Sequence, residues 1–233
     1  MTAVRLALLN AAEDHQNTAR NFRRELDADL VEFTVQAGQL PTTFDFDGCV
    51  VTGSRASVYW DEDWIQPLKT WVGEAIERGL PFLGVCFGHQ LLADVLGGTV
   101  EDMGEYEIGY RDIHHSGDDP LFAEIGSDFM AFTTHSDRVI ELPPGATQIA
   151  WNDYGVHGFR KDNVVAVQFH PEYDMETARV VTGAKDELAA DKKSAVLDGI
   201  TEDHYRRACE AKILFDNFIS IIADGRTPAP TAD

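Results

Sequence analysis

Leu80-Pro81-Phe82-Leu83-Gly84-Val85-Cys86-Phe87-Gly88-His89-Gln90-Leu91-Leu92-Ala93 is the stretch on which the reading of this chain turns. A short apolar run ends in Gly-x-Cys-x-Gly, and a helical pattern begins at once. That is the sequence form of a sharp strand-to-helix turn that lifts a nucleophile above a parallel sheet. Gly84 and Gly88 have no Cβ, so backbone can pass close to the turn. Cys86 falls at the amino end of the helix, where unpaired N–H groups and the helix dipole favour an anion. The thiolate is the reactive form of cysteine. Taken alone, the pattern also fits a buried structural cysteine beside a glycine turn.

Upstream, Val4 to Leu9 reads as a buried strand, and Asp14 or Asn17 caps a helix running to about Leu26. Leu30–Val35 alternates as a second strand, and Gly48–Thr52 is a third, ending at Gly53-Ser54. A helix starting near Asp61 carries Trp64, Ile65, Leu68, Trp71, Val72, Ala75 and Ile76 on one face. Strands alternating with helices in this way predict a parallel α/β sheet. From about Thr99 the rhythm changes. Thr99–Glu101, Glu107–Ile113, Phe129–Phe132, Gln148–Trp151 and Val156–Phe159 read as short strands between Gly, Pro, Asp and Ser clusters, an antiparallel region within or beside the main sheet. Val164–Phe169 is a late strand. The expected fold is therefore α/β in three layers, a mostly parallel central sheet flanked by helices with an added antiparallel region. One domain spans 1–226, its tail from Glu202 to Ala223 is helical, and 227–233 is a flexible end.

That late strand leads into Gln168-Phe169-His170-Pro171-Glu172. Residues i and i+2 of a strand share a face, so His170 and Glu172 point the same way. A carboxylate beside an imidazole fixes its tautomer and stabilises its charged form. On its own the pair also fits a histidine capping a strand beside an unrelated acid. Cys86 and His170 both follow strands at their carboxyl ends, where active sites of open α/β sheets sit, and that coincidence favours chemistry.

Composition narrows the classes. The 233 residues contain 40 Asp and Glu against 19 Lys and Arg, a net charge of −21. Such a surface repels nucleic acid and anionic membrane. With a normal apolar fraction it points to adaptation to high salt, where screening weakens self-repulsion. No run of about 18 apolar residues exists to form a membrane span. Cys49, Cys86 and Cys209 are odd in number and far apart, which argues for a reducing cytoplasm over a disulfide framework. Cys49 and Cys209 read as packing residues. His114-His115 with Asp118-Asp119 reads as a solvated polar turn, since no second ligand pair has zinc-site spacing, and no metal is expected.

Gly84-Val85-Cys86-Phe87-Gly88-His89-Gln90 and His170-Pro171-Glu172 resemble the paired motifs of class I glutamine amidotransferases of the triad type. Val50-Val51-Thr52-Gly53-Ser54 resembles that family's glycine loop. His135-Ser136-Asp137-Arg138-Val139 resembles the His-Gly-Asp-x-Val segment of the GMP synthetase amidotransferase. The resemblance implies Cys86 as nucleophile, His170 as base and Glu172 as its orienter. It implies backbone N–H groups of Gly53 and Phe87 as an oxyanion hole, and Gln90 with Thr134, His135, Ser136 and Asp137 near the amino-acid end of glutamine. No cofactor is implied. The implied substrate is glutamine or another γ-glutamyl compound, with ammonia passing to a separate synthetase because no phosphate-binding glycine loop occurs in this chain.

The chain departs from that pattern in places. Gly53-Ser54-Arg55 stands where synthetase-linked members usually have Gly-Gly-Pro, Ser136 replaces a usual glycine, and residues 173–200 are elaborated. Ser57-Val58-Tyr59 is also similar to stand-alone amidotransferase-like proteins, some of which cleave γ-glutamyl peptides. Two alternatives thus stay open: a stand-alone γ-glutamyl hydrolase, and a binding protein that kept the fold.

Overall fold

The computed structural model describes residues 3–226. Among the described residues nine strands form one sheet in the order β2-β1-β3-β4-β9-β8-β7-β5-β6. The parallel part comprises β1 (Arg5–Asn10), β2 (Asp29–Thr34), β3 (Gly48–Val51), β4 (Phe82–Val85) and β9 (Val164–Val167). The antiparallel part comprises β5 (Thr99–His115), β6 (Asp128–Glu141), β7 (Thr147–Asn152) and β8 (Gly155–Lys161). The antiparallel strands therefore extend the main sheet rather than forming a second one.

Alternation along the parallel strands builds two cores. Leu6 and Leu8 of β1, Val50, Leu83, Val85, Val165 and Val167 face one side. They pack with Phe22 of α1 (His15–Glu25) and Leu214, Phe215 and Phe218 of α7 (Ile213–Arg226). Ala7, Leu9, Cys49, Val51, Phe82 and Ala166 face the other, against α2 (Ile65–Glu77) and α3 (Phe87–Val95). Strands buried on both faces explain the near-continuous apolar runs at Val4–Leu9 and Val164–Val167. Each fully buried Leu or Phe contributes about 1.5–3 kcal/mol, so these two layers fix the sheet.

Several local expectations are redrawn. Asp14 does cap α1, its side chain accepting from Asn17 N–H at 3.2 Å. α2 begins at Ile65, after Trp64 in place of Asp61. The two strands expected between Thr99 and Ile113 are one strand with an irregular register between Asp102 and Glu107. Gly104, at φ +72°, lies in that irregular stretch and supplies a backbone conformation open mainly to glycine. The elaborated stretch after Glu172 folds as α4 (Met175–Gly183) and α5 (Ala190–Gly199), followed by α6 (Glu202–Ala208). A third apolar cluster, Ile108, Phe132, Ala178, Leu188 and Ile200, seats this stretch on the antiparallel strands. The end expected at 227–233 lies outside the described residues. Among the described residues no helix is long and apolar enough to cross a membrane.

Candidate active site

β3, β4 and β9 are neighbours and all parallel, so their carboxyl ends open at one edge. Gly53 follows β3 closely, Cys86 follows β4 and His170 follows β9. Register pairs Val85 with Val167, which brings the two turns side by side.

The turn at Cys86 has the expected strained form. Cys86 sits at φ 55°, ψ −104°, one of three non-glycine residues with positive φ among those described. A cysteine in that region costs on the order of 1–3 kcal/mol, which close packing around it must offset. That packing is visible at the flanking glycines. A Cβ on Gly88 would lie 2.2 Å from the Val51 carbonyl oxygen, and one on Gly84 would lie 2.5 Å from that of Gly88. Both glycines are there because backbone from β3 and α3 passes through the space a side chain would need.

His170 is fixed by backbone and side chain together. Its N–H donates to the Phe132 carbonyl at 2.8 Å, an isolated bridge beyond the end of β9. Its Nδ1 is 2.8 Å from Glu172 Oε1. Expected on a regular strand, the pair is instead brought together by this bridge and the turn that follows. Arg24 of α1 donates to the Glu172 carbonyl at 2.6 Å, and the Tyr173 ring stacks on the imidazole at 4.1 Å. Burial alone would lower the His170 pKa, but the charges of Glu172 and Cys86 outweigh it and push it up to about 10. The ring is therefore held as an imidazolium. His170 Nε2 is buried without a hydrogen-bond partner, and so is Glu172 Oε2. A Cβ on Gly53 would lie 2.9 Å from His170 Cε1 and 3.6 Å from Cys86 Cβ, so imidazole and cysteine flank the same methyl-sized spot.

Cys86 is buried, with Sγ 3.9 Å from the Thr134 carbonyl oxygen. Two cavities meet at it. One, of about 320 Å³, runs past Gln90, Thr134, His135, Ser136 and Asp137. The other, of about 170 Å³, runs past Gly53, His170 and Glu172. Phe87 is the first residue of α3, where helix N–H groups lack intrahelical partners.

Residues 134–137 lie within β6. Their polar groups are largely engaged inside the protein. Gln90 Nε2 donates to the Asp137 carbonyl at 3.0 Å and to Gln168 Oε1 at 3.1 Å. Asp137 Oδ1 accepts from the Tyr59 hydroxyl at 2.9 Å. His135 places Nδ1 2.9 Å from the Asp137 carbonyl and Nε2 2.8 Å from Glu107 Oε2. Thr134 Oγ1, in contrast, is buried without a partner beside both cavities.

Sequence spacing missed the Glu107 assembly behind this wall. The fully buried Glu107 carboxylate meets His135, His157 Nε2 at 3.0 Å and Asn152 Nδ2 at 2.6 Å. Burial would raise its pKa, but the two histidine hydrogen bonds override it and hold Glu107 ionised. Burial lowers the His157 pKa, and its Nδ1 has no partner, so the neutral Nε2–H tautomer fits. Glu107, His135 and His157 have ligand atoms within 4.8 Å of one another. Their short mutual hydrogen bonds already account for that convergence. Three residues after Cys86, His89 reads from the sequence as facing solvent; it is instead fully buried, burial and the nearby His157 lower its pKa to about 3, and Nδ1 meets Gln168 Oε1 at 3.1 Å. His114 and Asp119 turn to separate partners, Asp128 and Arg160.

Also missed were the charged groups at the shared mouth of the cavities. Glu13, Arg55 and Lys185 line both, and Glu187 lines the larger. Lys185 is buried, its ammonium 4.6 Å from the Tyr106 ring centroid and 3.9 Å from Glu187. Burial lowers its pKa, against the opposing pull of Glu187 and Cys86. Lys185 belongs to the stretch after Glu172, where no motif marked it.

Residues 12–182 match the family model for glutamine amidotransferase class-I. Among curated relatives, GMP synthase (glutamine-hydrolysing) of Thermomicrobium roseum is 37% identical over 126 residues, 54% of this chain and 23% of that protein. The Vibrio vulnificus GMP synthase is 33% identical over 132 residues, 55% of this chain and 25% of that one. Matched segments thus span about a quarter of these relatives. In fold, the chain is similar to a glutamine amidotransferase from Thermotoga maritima, with a TM-score of 0.78 at 23% identity over 94% of this chain and 99% of that one. It is also similar to a glutamine amidotransferase from Methylobacillus flagellatus, with a TM-score of 0.77 at 20% identity over 100% of this chain and 99% of that one.

Proposed function

Because this chain belongs to the class-I glutamine amidotransferase family, we propose that it hydrolyses the side-chain amide of glutamine through a thioester on Cys86 and passes the ammonia to a separate synthetase chain. His170 takes the thiol proton of Cys86, and the sulfur attacks the amide carbon as a thiolate. His170, held as an imidazolium, gives its proton to the departing nitrogen, and Glu172 holds the ring. Water then attacks the thioester carbon, restoring the sulfur and releasing glutamate. Backbone N–H groups of Phe87 and Gly53 stabilise the oxyanion, each worth roughly two to three powers of ten in turnover. The glutamyl part lies in the larger cavity near Gln90 and residues 134–137, with Thr134 as the side chain free to meet it.

The observation that carries this reading is the joining of a strained cysteine turn and a carboxylate-paired histidine at the ends of adjacent parallel strands. The GMP synthase relatives support a GMP synthetase-like acceptor step on another chain. The test is ammonia release from glutamine, in dilute buffer and in molar salt, together with labelling by a diazoketone analogue of glutamine. Wild type should release ammonia and carry the label on Cys86, and Cys86→Ala should lose about four to six powers of ten in turnover. A Cys86→Ala protein that keeps wild-type turnover overturns the proposal.

A further inference from the structure

Only one of the two cavities at Cys86 is accounted for by a glutamyl group. The larger cavity carries Gln90 and residues 135–137 but not His170, while the smaller carries His170 and Glu172 but none of those residues. Cys86 and Thr134 border both. In an amide attacked at carbon, the acyl chain and the nitrogen point away from that carbon in different directions. The nitrogen must leave toward the group that protonates it. With His170 as that group, a reading this inference rests on, the acyl chain lies in the larger cavity and the nitrogen in the smaller.

The size of the smaller cavity then matters. Ammonia is water-sized, and a water-sized molecule needs about 10–15 Å³ of such space. The cavity offers about 170 Å³, an order of magnitude more. It lies between the start of α1 and α4, with Ala12 on one side and Val180, Val181 and Ala184 on the other. That seat is held by a built contact. Thr177 of α4 accepts from Asn21 of α1 at 3.0 Å, and Asp174 accepts from Arg24 at 2.7 Å. The apolar wall comes largely from α4, at the start of the elaborated stretch.

We propose that this cavity is a leaving-amine subsite, and that besides glutamine the enzyme cleaves γ-glutamyl amides whose nitrogen carries a short aliphatic chain, releasing the free alkylamine in place of ammonia. The step balances as for glutamine. The C–S bond forms as the C–N bond breaks, the amine takes its proton from His170, and water hydrolyses the thioester to glutamate. Ala12, Val180 and Val181 would cover the chain on the nitrogen.

The test is the series glutamine, γ-glutamyl methylamide, ethylamide and propylamide, assayed by glutamate release. The expected result is a rise in kcat/KM of roughly fourfold per added carbon, from burial of each methylene. Val181→Phe, and Val180→Phe at a position 55% exposed, fill the cavity from α4. At least one of them should lower the propylamide-to-glutamine ratio of kcat/KM at least tenfold. Because each protein is read as a ratio of two substrates, partial unfolding cancels. A flat or falling series in wild type overturns the subsite, and so does a rising series with an unchanged ratio in both variants. Labelling of Cys86 by the diazoketone analogue separates the two failures. If Cys86 is labelled and glutamine is hydrolysed while the alkylamides are not, only the subsite falls. If neither labelling nor hydrolysis occurs, the thioester reading falls and the subsite with it.

Discussion

Two walls face each other across Cys86 and are built by different means. The wall made by the ends of β3, β4 and β9 with α3 is backbone against backbone, with Gly84 and Gly88 occupying space that admits no side chain. The wall made by α4 and the stretch after it is side chains on a helix seated by polar contacts, with an exposed Val180 and loosely spaced charges. The first wall fixes where the sulfur and the imidazole stand. The second sets what fits beside them. A wall of close backbone contacts tolerates almost no change, whereas a wall of side chains can vary without disturbing the sheet.

The same substitution should therefore have opposite signs on the two walls. Gly88→Ala places a methyl 2.2 Å from a carbonyl oxygen held in the sheet, and the expected cost is about 3 kcal/mol or more. Gly183→Ala, at the end of α4, meets nothing within 4 Å and has no positive φ, so it should stabilise by about 0.5–1 kcal/mol. Thermal or denaturant unfolding of both variants checks this. Melting temperatures that shift in the same direction would erase the distinction between the walls.

That contrast also explains what was legible in the residues. Gly84, Cys86 and Gly88 form a local device, and so do His170 and Glu172, so short spacing carried them. The parallel strands were legible because each buried strand is a continuous apolar run. β5 read as two strands because its middle carries polar residues and Gly104, and only pairing with β6 makes it continuous. His89 was misjudged because helical period assumes a solvated face, while α3 is buried from Phe87 to Ala93. Glu107 was out of reach because its partners His135 and His157 lie 28 and 50 residues away. The lining by Lys185 and Val181 depends on how α4 seats on α1, which no motif encodes.

His89 offers the next test, since it lies deep in the rigid wall. It is neutral in the folded protein, with a pKa near 3, and takes up a proton near pH 6.5 once unfolded. A folded pKa below the unfolded one gives stability that is complete above pH 6.5 and is lost as pH falls toward 3. The slope is about 1.4 kcal/mol per pH unit, or about 3 kcal/mol by pH 4. His89→Gln removes this contribution, so its unfolding free energy should fall less steeply than wild type between pH 6.5 and 4. Parallel curves for the two proteins would mean that His89 is protonated or hydrated in the folded state.

Glu107→Gln probes the layer behind the cavity. The amide keeps the volume but loses the charge that three donors converge on, so a loss of about 2 kcal/mol is expected. Because His135 borders the larger cavity, KM for glutamine should rise more than kcat falls. A change confined to kcat would point to a link with His170 that the hydrogen bonds do not provide.

Arg55→Ala should do least to the fold, and that is its use. Arg55 is half-exposed, lies 3.9 Å from both Glu13 and Glu187, beyond hydrogen-bond reach of either, and donates a long hydrogen bond of 3.4 Å to the Ala184 carbonyl. Exposed pairs of this kind contribute about 0–1 kcal/mol, and here the spacing argues for the lower end. Yet Arg55 borders both cavities beside Lys185, among charges of both signs. If those charges served the fold, they would be drawn into closer pairs, as Lys69 and Asp94 are at 2.7 Å. Their loose spacing suits groups that meet a charged substrate. Unfolding of Arg55→Ala should match wild type within about 0.5 kcal/mol, while KM for glutamine rises at least threefold. A melting temperature that drops with KM unchanged would make Arg55 a brace between the turn after β3 and the stretch after Glu172, with no part in binding.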